Sequence, residues 1–163
     1  MTTTHKNALR VAAALWLVWG LVHLGAGIIT LASTTTEAVQ AIADAVPEEV
    51  LAVDYPDAAG AILDQHSWNL AWFGVVAMIG GVFIWRQNRT AIWVTAMVGG
   101  LADIGYFLFL DLGGYVNFVP GTVMTIFSAT AILLSGWVWF ATRGPKGHEL
   151  AATTLGSTPV SSR

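Results

Sequence analysis

The chain has 163 residues, enough for one soluble domain, yet 55% are hydrophobic and only 10% are charged, against roughly 25% charged in soluble domains. A soluble fold of this size needs more polar surface than that, so the composition excludes an ordinary globular domain and points to an integral membrane protein. Cysteine is absent, which removes disulfides, thiolate metal sites, iron–sulfur clusters and thiol nucleophiles; the net charge of −3 says less than where the charges lie.

A spanning helix needs about 20 mostly apolar residues. In chain order, four segments meet this: 11–32, with His23 inside it; 67–85, uncharged; 90–110, interrupted only by Asp103; and 120–142, opening with Pro120, which suits the first turn of a helix. The linkers after the second and third are short, as in an antiparallel up-down bundle. The expected fold is an all-α integral membrane antiparallel four-helix transmembrane bundle. Residues 1–142 form its single domain.

Orientation is read from lysine and arginine. Lys6, Arg10, Arg86, Arg89, Arg143, Lys146 and Arg163 all fall on one side if the N-terminus is inside. The loop 33–66 holds no basic residue and carries Glu37, Asp44, Glu48, Glu49, Asp54, Asp57 and Asp64. The expectation is the cell's inner (plasma) membrane, both termini cytoplasmic and the acidic loop outside. Trp85, Trp93, Trp137 and Trp139 near the inner interface and Trp68 near the outer one fit an aromatic belt. The rival reading of the N-terminus is a cleaved leader ending near Ala32. Its apolar run is longer than the roughly 7–15 residues usual for such leaders, so a span is preferred.

The loop 33–66 is long for a structureless connection. Thr36 is expected to cap a helix over 37–45, where Ala38, Val39 and Ile42 recur at helical spacing. Pro47-Glu48-Glu49 reads as a second start, and 58–63 as an outward extension of the second span. These short extracytoplasmic helices are expected to lie over the outer mouth, as a lid or a plain cap. The Gly/Ser/Thr/Pro-rich tail 143–163 is expected to be a disordered cytoplasmic segment.

Ionisable groups inside a bilayer are costly and mark function by default. Two lie deep, His23 and Asp103. At the helical rise each is roughly 20 Å from the inner end of its span, so they share a level. Each span also has one small-or-polar face at 3–4-residue spacing: Gly20, His23 and Gly27; Asn69, Trp72 and Val76; Gly99, Asp103 and Tyr106; Thr125, Ser128 and Ser135. Converging these faces gathers His23, Asn69, Trp72, Asp103, Tyr106, Thr125 and Ser128 as a ligand-binding site or proton relay. The plainer reading is structural: small residues allow close helix packing, and polar ones join helices by hydrogen bonds.

Asp64, His66 and Asp111 at the outer rim are weaker candidates for a metal, because their spacing matches no metal motif. No cofactor is expected. Haem would need two histidines at one level, and His66 lies roughly 8 Å outward of His23 by helix rise. No nucleotide-binding loop and no nucleophile–base spacing occurs.

The segments Gly20-Leu21-Val22-His23-Leu24 and His66-Ser67-Trp68-Asn69-Leu70-Ala71-Trp72-Phe73-Gly74 resemble those of small bacterial four-helix membrane proteins with Gly-x-x-His-Leu in the first helix. The likeness covers about 11–142. It implies the architecture and brings no activity with it.

The leading expectation is a non-enzymatic multi-pass protein that binds a small or lipidic molecule at the buried polar level. The alternatives are a proton-coupled transporter or channel subunit with a His23/Asp103 relay, a membrane redox or haem protein, and a structural interaction partner. The expected partners are the lipid bilayer and a small apolar ligand or lipid, with no nucleic acid. A homodimer is a further expectation, through the pairs Ala77…Gly81 and Ala96…Gly100.

Overall fold

A computed structural model of the chain describes residues 1–143; the tail expectation for 144–163 lies outside the described residues. These residues form helices α1 (Thr3–Leu31), α2 (Thr35–Ile42), α3 (Glu48–Leu51), α4 (Asp57–Trp85), α5 (Arg89–Tyr106) and α6 (Val123–Ala141). Four helical stretches, Thr3–Leu31, Asp57–Trp85, Arg89–Asp111 and Phe118–Ala141, are long and apolar enough to cross a membrane.

The first two spans are longer than their apolar runs. Helix α1 starts eight residues before 11, because Thr2 caps it by accepting the His5 N–H at 3.3 Å. Helix α4 starts at Asp57, so residues 58–63 extend the second span as expected, with Pro56 at its cap and an acid in its first turn, a placement the helix dipole favours. The cap of α2 also differs from expectation. Thr34, not Thr36, opens the helix: its hydroxyl accepts the Glu37 N–H at 3.4 Å, and the Glu37 carboxylate accepts the Thr34 N–H at 2.8 Å. This capping box needs the acid three residues after the cap, which only Thr34 satisfies. The Thr36 hydroxyl donates instead to the Val53 carbonyl at 3.3 Å.

The turn between α4 and α5 is tight because Asn88 serves both helices. Its N–H donates to the Phe83 carbonyl at 2.9 Å while the Gln87 N–H donates to Ile84 at 2.8 Å, the paired closure of a Schellman turn. The Asn88 side chain then accepts the Ala91 N–H at 3.1 Å and starts α5. Gln87 sits in the left-handed region at φ 63°, where glycine is usual.

Helix α5 runs on through a widened turn, Phe107–Asp111, in which the Leu112 N–H reaches the Phe107 carbonyl at 2.9 Å. The last span also begins widened, over Phe118–Thr122. The regular helix therefore starts at Val123, not at Pro120. Val119 is extended at φ −117°, ψ 126°, as a residue before proline prefers.

Contacts link α1 to α4 and α6, and α5 to α4 and α6. Along α1 and α4 they run in opposite senses: Gly20 meets Gly74, Gly27 meets Ala71, and Gly81 meets Ala13. The backbones touch there. A Cβ on Gly20 would lie 2.5 Å from the Gly74 carbonyl oxygen, so glycine is required at this crossing. Gly80 packs on Thr95, Gly81 on Leu17, Gly99 on Trp16 and Gly100 on Ile132. The glycines of the pairs considered for a dimer seam thus face partners inside the chain, for the same close-packing reason.

The core lies toward the helix ends that carry Arg10, Arg86 and Arg143. Trp16, Trp19, Ala13, Ile84 and Val138 are sealed from solvent, and the opposite faces, with Leu21, Ile28, Met97, Leu101 and Leu133, are bare. That is inside-out for water and normal for lipid. At the opposite end, Asp44 accepts the Asn117 N–H at 2.7 Å, the Asn117 amide donates to the Asp44 carbonyl at 2.8 Å, and the Ala45 N–H donates to Tyr115 at 3.1 Å. These three bonds tie the acidic loop to the loop after α5.

Candidate functional site

The site begins with helical spacing. Trp19 and His23 stand four apart on α1, so one lies above the other on the same face. Their rings stack at 3.6 Å between centroids and 18° between planes. His23 Nδ1 is 2.8 Å from the Trp19 carbonyl oxygen. A carbonyl only accepts, so Nδ1 carries the proton, which leaves Nε2 pointing away from α1.

Across the bundle, the Trp19 indole N–H donates to Asp103 Oδ2 at 2.9 Å. Asp103 Oδ1 is 3.9 Å from His23 Nε2, close enough to attract and too far for a direct hydrogen bond. Asp103 is 4% exposed. A carboxylate so buried persists only with partners. Here they are an indole donor and an imidazole, both held by α1.

Beside this pair lies a cavity of about 600 Å³, at the end of the bundle that carries α2. All four long helices and α2 contribute to it. His23 and Asp103 line it, with Asn69, Tyr106, His66 and Asp44 as the other polar walls and Phe73, Phe109, Leu70 and Met124 among the apolar ones. The α2 end, Ala41, Ile42 and Asp44, forms part of its roof. Such a mostly apolar hollow with a few convergent polar groups has the makeup of a ligand pocket.

The structure brings four of the sequence-selected residues, His23, Asn69, Asp103 and Tyr106, to one cavity wall. It does not bring Trp72 there. Trp72 is 39% exposed on the outside of α4 and donates to the Asn69 side-chain oxygen at 3.1 Å, because the position three after Asn69 turns past the wall. Thr125 and Ser128 also lie off the lining. The Ser128 hydroxyl sits beside the Asp103 carboxylate and donates to the Thr125 carbonyl at 3.1 Å. The Thr125 hydroxyl is buried without a partner.

Of the rim residues, His66 faces the cavity, Asp111 accepts the Thr122 hydroxyl at 3.0 Å, and Asp64 is exposed. Among the described residues no group of three or more His, Asp or Glu could hold a metal ion. His23 engages the Trp19 carbonyl through Nδ1, and its Nε2 faces the Asp103 carboxylate across 3.9 Å.

Sequence reasoning missed Trp19, which fixes both polar groups. The signal was present: Trp16, Trp19 and His23 stand at +3 and +4, a valid helix face. Choosing Gly20 as the stripe residue hid it. Asp44 was also missed, since only the folded-back loop carries it to the cavity.

No family model matches the chain, no curated protein is significantly similar to it, and no solved structure is either. The functional reading therefore rests on the residues and the geometry.

Proposed function

We propose that this is a multi-pass membrane protein that binds a small or lipidic molecule in the cavity above His23 and Asp103. The observation that carries the reading is the cavity itself: about 600 Å³, inside the roughly 300–1,000 Å³ of small-molecule sites, with apolar walls and a polar floor. The basic residues Lys6, Arg10, Arg86, Arg89 and Arg143 flank the inner helix ends and the acidic loop flanks the outer ones. By the positive-inside rule both termini are cytoplasmic and the cavity opens extracytoplasmically. Arg143 over Trp139 at 3.1 Å and Arg10 over Trp85 at 5.6 Å support placing the basic, inner helix ends at the headgroup level.

A proton relay through the bundle gains less support. Inward of Asp103 the interior is filled by Trp16, Ala13, Ile84, Ile92 and Val138. There the buried Ser135 hydroxyl donates to its own helix at Ala131, and the Thr95 hydroxyl and Trp16 indole N–H are buried without partners, so no hydrogen-bonded chain leads inward among the described residues.

Gly105 provides the test. It lines the cavity, and a Cβ added there meets nothing within 4 Å. Gly105→Leu starts from that open position and adds bulk at the cavity lining. The purified wild type is expected to gain saturable thermal stability from single-chain amphiphiles, and Gly105→Leu is expected to lose that gain. Equal stabilisation of both proteins would refute the placement.

A further inference from the structure

Resting on that reading, we infer that the ligand's head is a primary ammonium: the cavity takes a single-chain amphiphile whose –NH₃⁺ bridges His23 Nε2 and Asp103 Oδ1. Three observations lead there. The first is the pattern of hydrogen-bonding groups at the floor. His23 Nδ1 holds its proton against the Trp19 carbonyl, so Nε2 of the neutral ring accepts. Asp103 Oδ2 is taken by the Trp19 indole, and Oδ1 faces His23 Nε2. The floor thus presents two acceptors side by side.

The second is their spacing of 3.9 Å. An atom about 2.8 Å from each of two such acceptors sees them roughly 90° apart. That is close to the tetrahedral angle between two protons on one ammonium nitrogen, leaving each hydrogen bond bent by only about 10°. An alcohol has one proton and leaves one acceptor unpaired. A carboxylate adds a like charge beside Asp103. A quaternary ammonium has no proton to give.

The third is charge. The lining holds two carboxylates, Asp103 and Asp44, and two histidines, but no lysine or arginine. The loop above adds Glu37, Glu48, Glu49, Asp54, Asp57 and Asp64. An acidic mouth over a low-dielectric hollow concentrates cations, and a bound ammonium compensates the Asp103 carboxylate that the bilayer otherwise penalises. Ile29, Leu70, Phe73, Phe109 and Met124 leave an apolar path for the tail.

The test uses the full chain in phosphatidylcholine nanodiscs with four ten-carbon probes: decylamine, decanol, decanoate and decyltrimethylammonium. Binding is counted only where Gly105→Leu abolishes it, which removes partition into the bilayer. Decylamine is expected to bind at least about tenfold more tightly than the other three, the scale of one charge-assisted hydrogen bond. Asp103→Asn is expected to lower decylamine affinity by about tenfold or more and decanol affinity by less, so that the amine preference is lost. If Asp103→Asn does not fold, His23→Phe keeps the stacked ring, removes the Nε2 acceptor and is expected to cut the amine preference several-fold. Gly105-sensitive binding of decanol or decanoate as tight as that of decylamine would overturn the ammonium assignment while keeping the cavity. The absence of Gly105-sensitive binding by any probe would overturn the cavity reading and this inference with it.

Discussion

Trp19→Phe isolates the bond that fixes the site. The substitution keeps an aromatic ring on α1 and removes the N–H that donates to Asp103 Oδ2 at 2.9 Å. Two costs follow. Trp19 is fully buried, so the smaller ring leaves a gap costing about 1 kcal/mol. The carboxylate oxygen also loses its donor. Interhelical hydrogen bonds in membranes average about 0.6 kcal/mol and reach about 1.7; a charged, buried acceptor belongs at the upper end, about 1.5 kcal/mol. Trp19→Phe should therefore destabilise by about 2.5 kcal/mol. In an Asp103→Leu background the same change should cost only the packing part, about 1 kcal/mol. The difference, about 1.5 kcal/mol, is the coupling of a double-mutant cycle, measured by reversible unfolding in mixed micelles. A coupling below about 0.5 kcal/mol would show that the indole does not hold the carboxylate.

Gly20→Val should separate α1 from α4, since the added Cβ meets the rigid Gly74 carbonyl at 2.5 Å; a loss of about 2–3 kcal/mol is expected, whereas Gly105→Ala, in open space, should gain about 0.5–1 kcal/mol from helix propensity. Thermal unfolding of the two variants side by side checks the contrast. Gln87→Gly should raise stability by about 0.5–1 kcal/mol, because φ 63° strains a residue with a Cβ; a fall in melting temperature would mean that the turn is not held as described. Glu37 accepts the Thr34 N–H and hydroxyl, which holds its carboxyl below the usual 4.5. A depressed pKa adds stability above the unfolded value and loses it as pH falls through the folded one. The α2 amides should thus stay protected from hydrogen exchange at neutral pH and lose protection as the pH falls through the lowered carboxyl titration; Glu37→Gln should abolish that pH dependence, and its persistence would assign the effect to another group.

The positions of His23 and Asp103 were legible because two simple rules fix them. Helical rise sets depth, and 3–4-residue spacing sets the face. Both survive folding in long, uninterrupted spans. Local chemistry proved harder to read. Thr34 and Thr36 are equally good caps by type, and only the reciprocal bond to Glu37 separates them. Pro120 suits a first helical turn, yet Phe118–Thr122 is wound too wide to be one. Long-range pairs were the least legible. Trp19 looks like any membrane aromatic until Asp103 arrives opposite it, and Asp44 reaches the cavity only because Asn117 and Tyr115 hold the loop down. The same folding turns Gly81 and Gly100 inward onto Leu17 and Ile132, although their small-residue pattern fits an intermolecular seam equally well.

Native mass spectrometry of the protein released gently from its own membrane tests the cavity most directly. The wild type should carry one non-covalent adduct that survives mild activation, and Gly105→Leu, with the hollow above His23 and Asp103 filled, should lack it. A wild type that flies bare, or an adduct retained equally by Gly105→Leu, would contradict a bound molecule at this site.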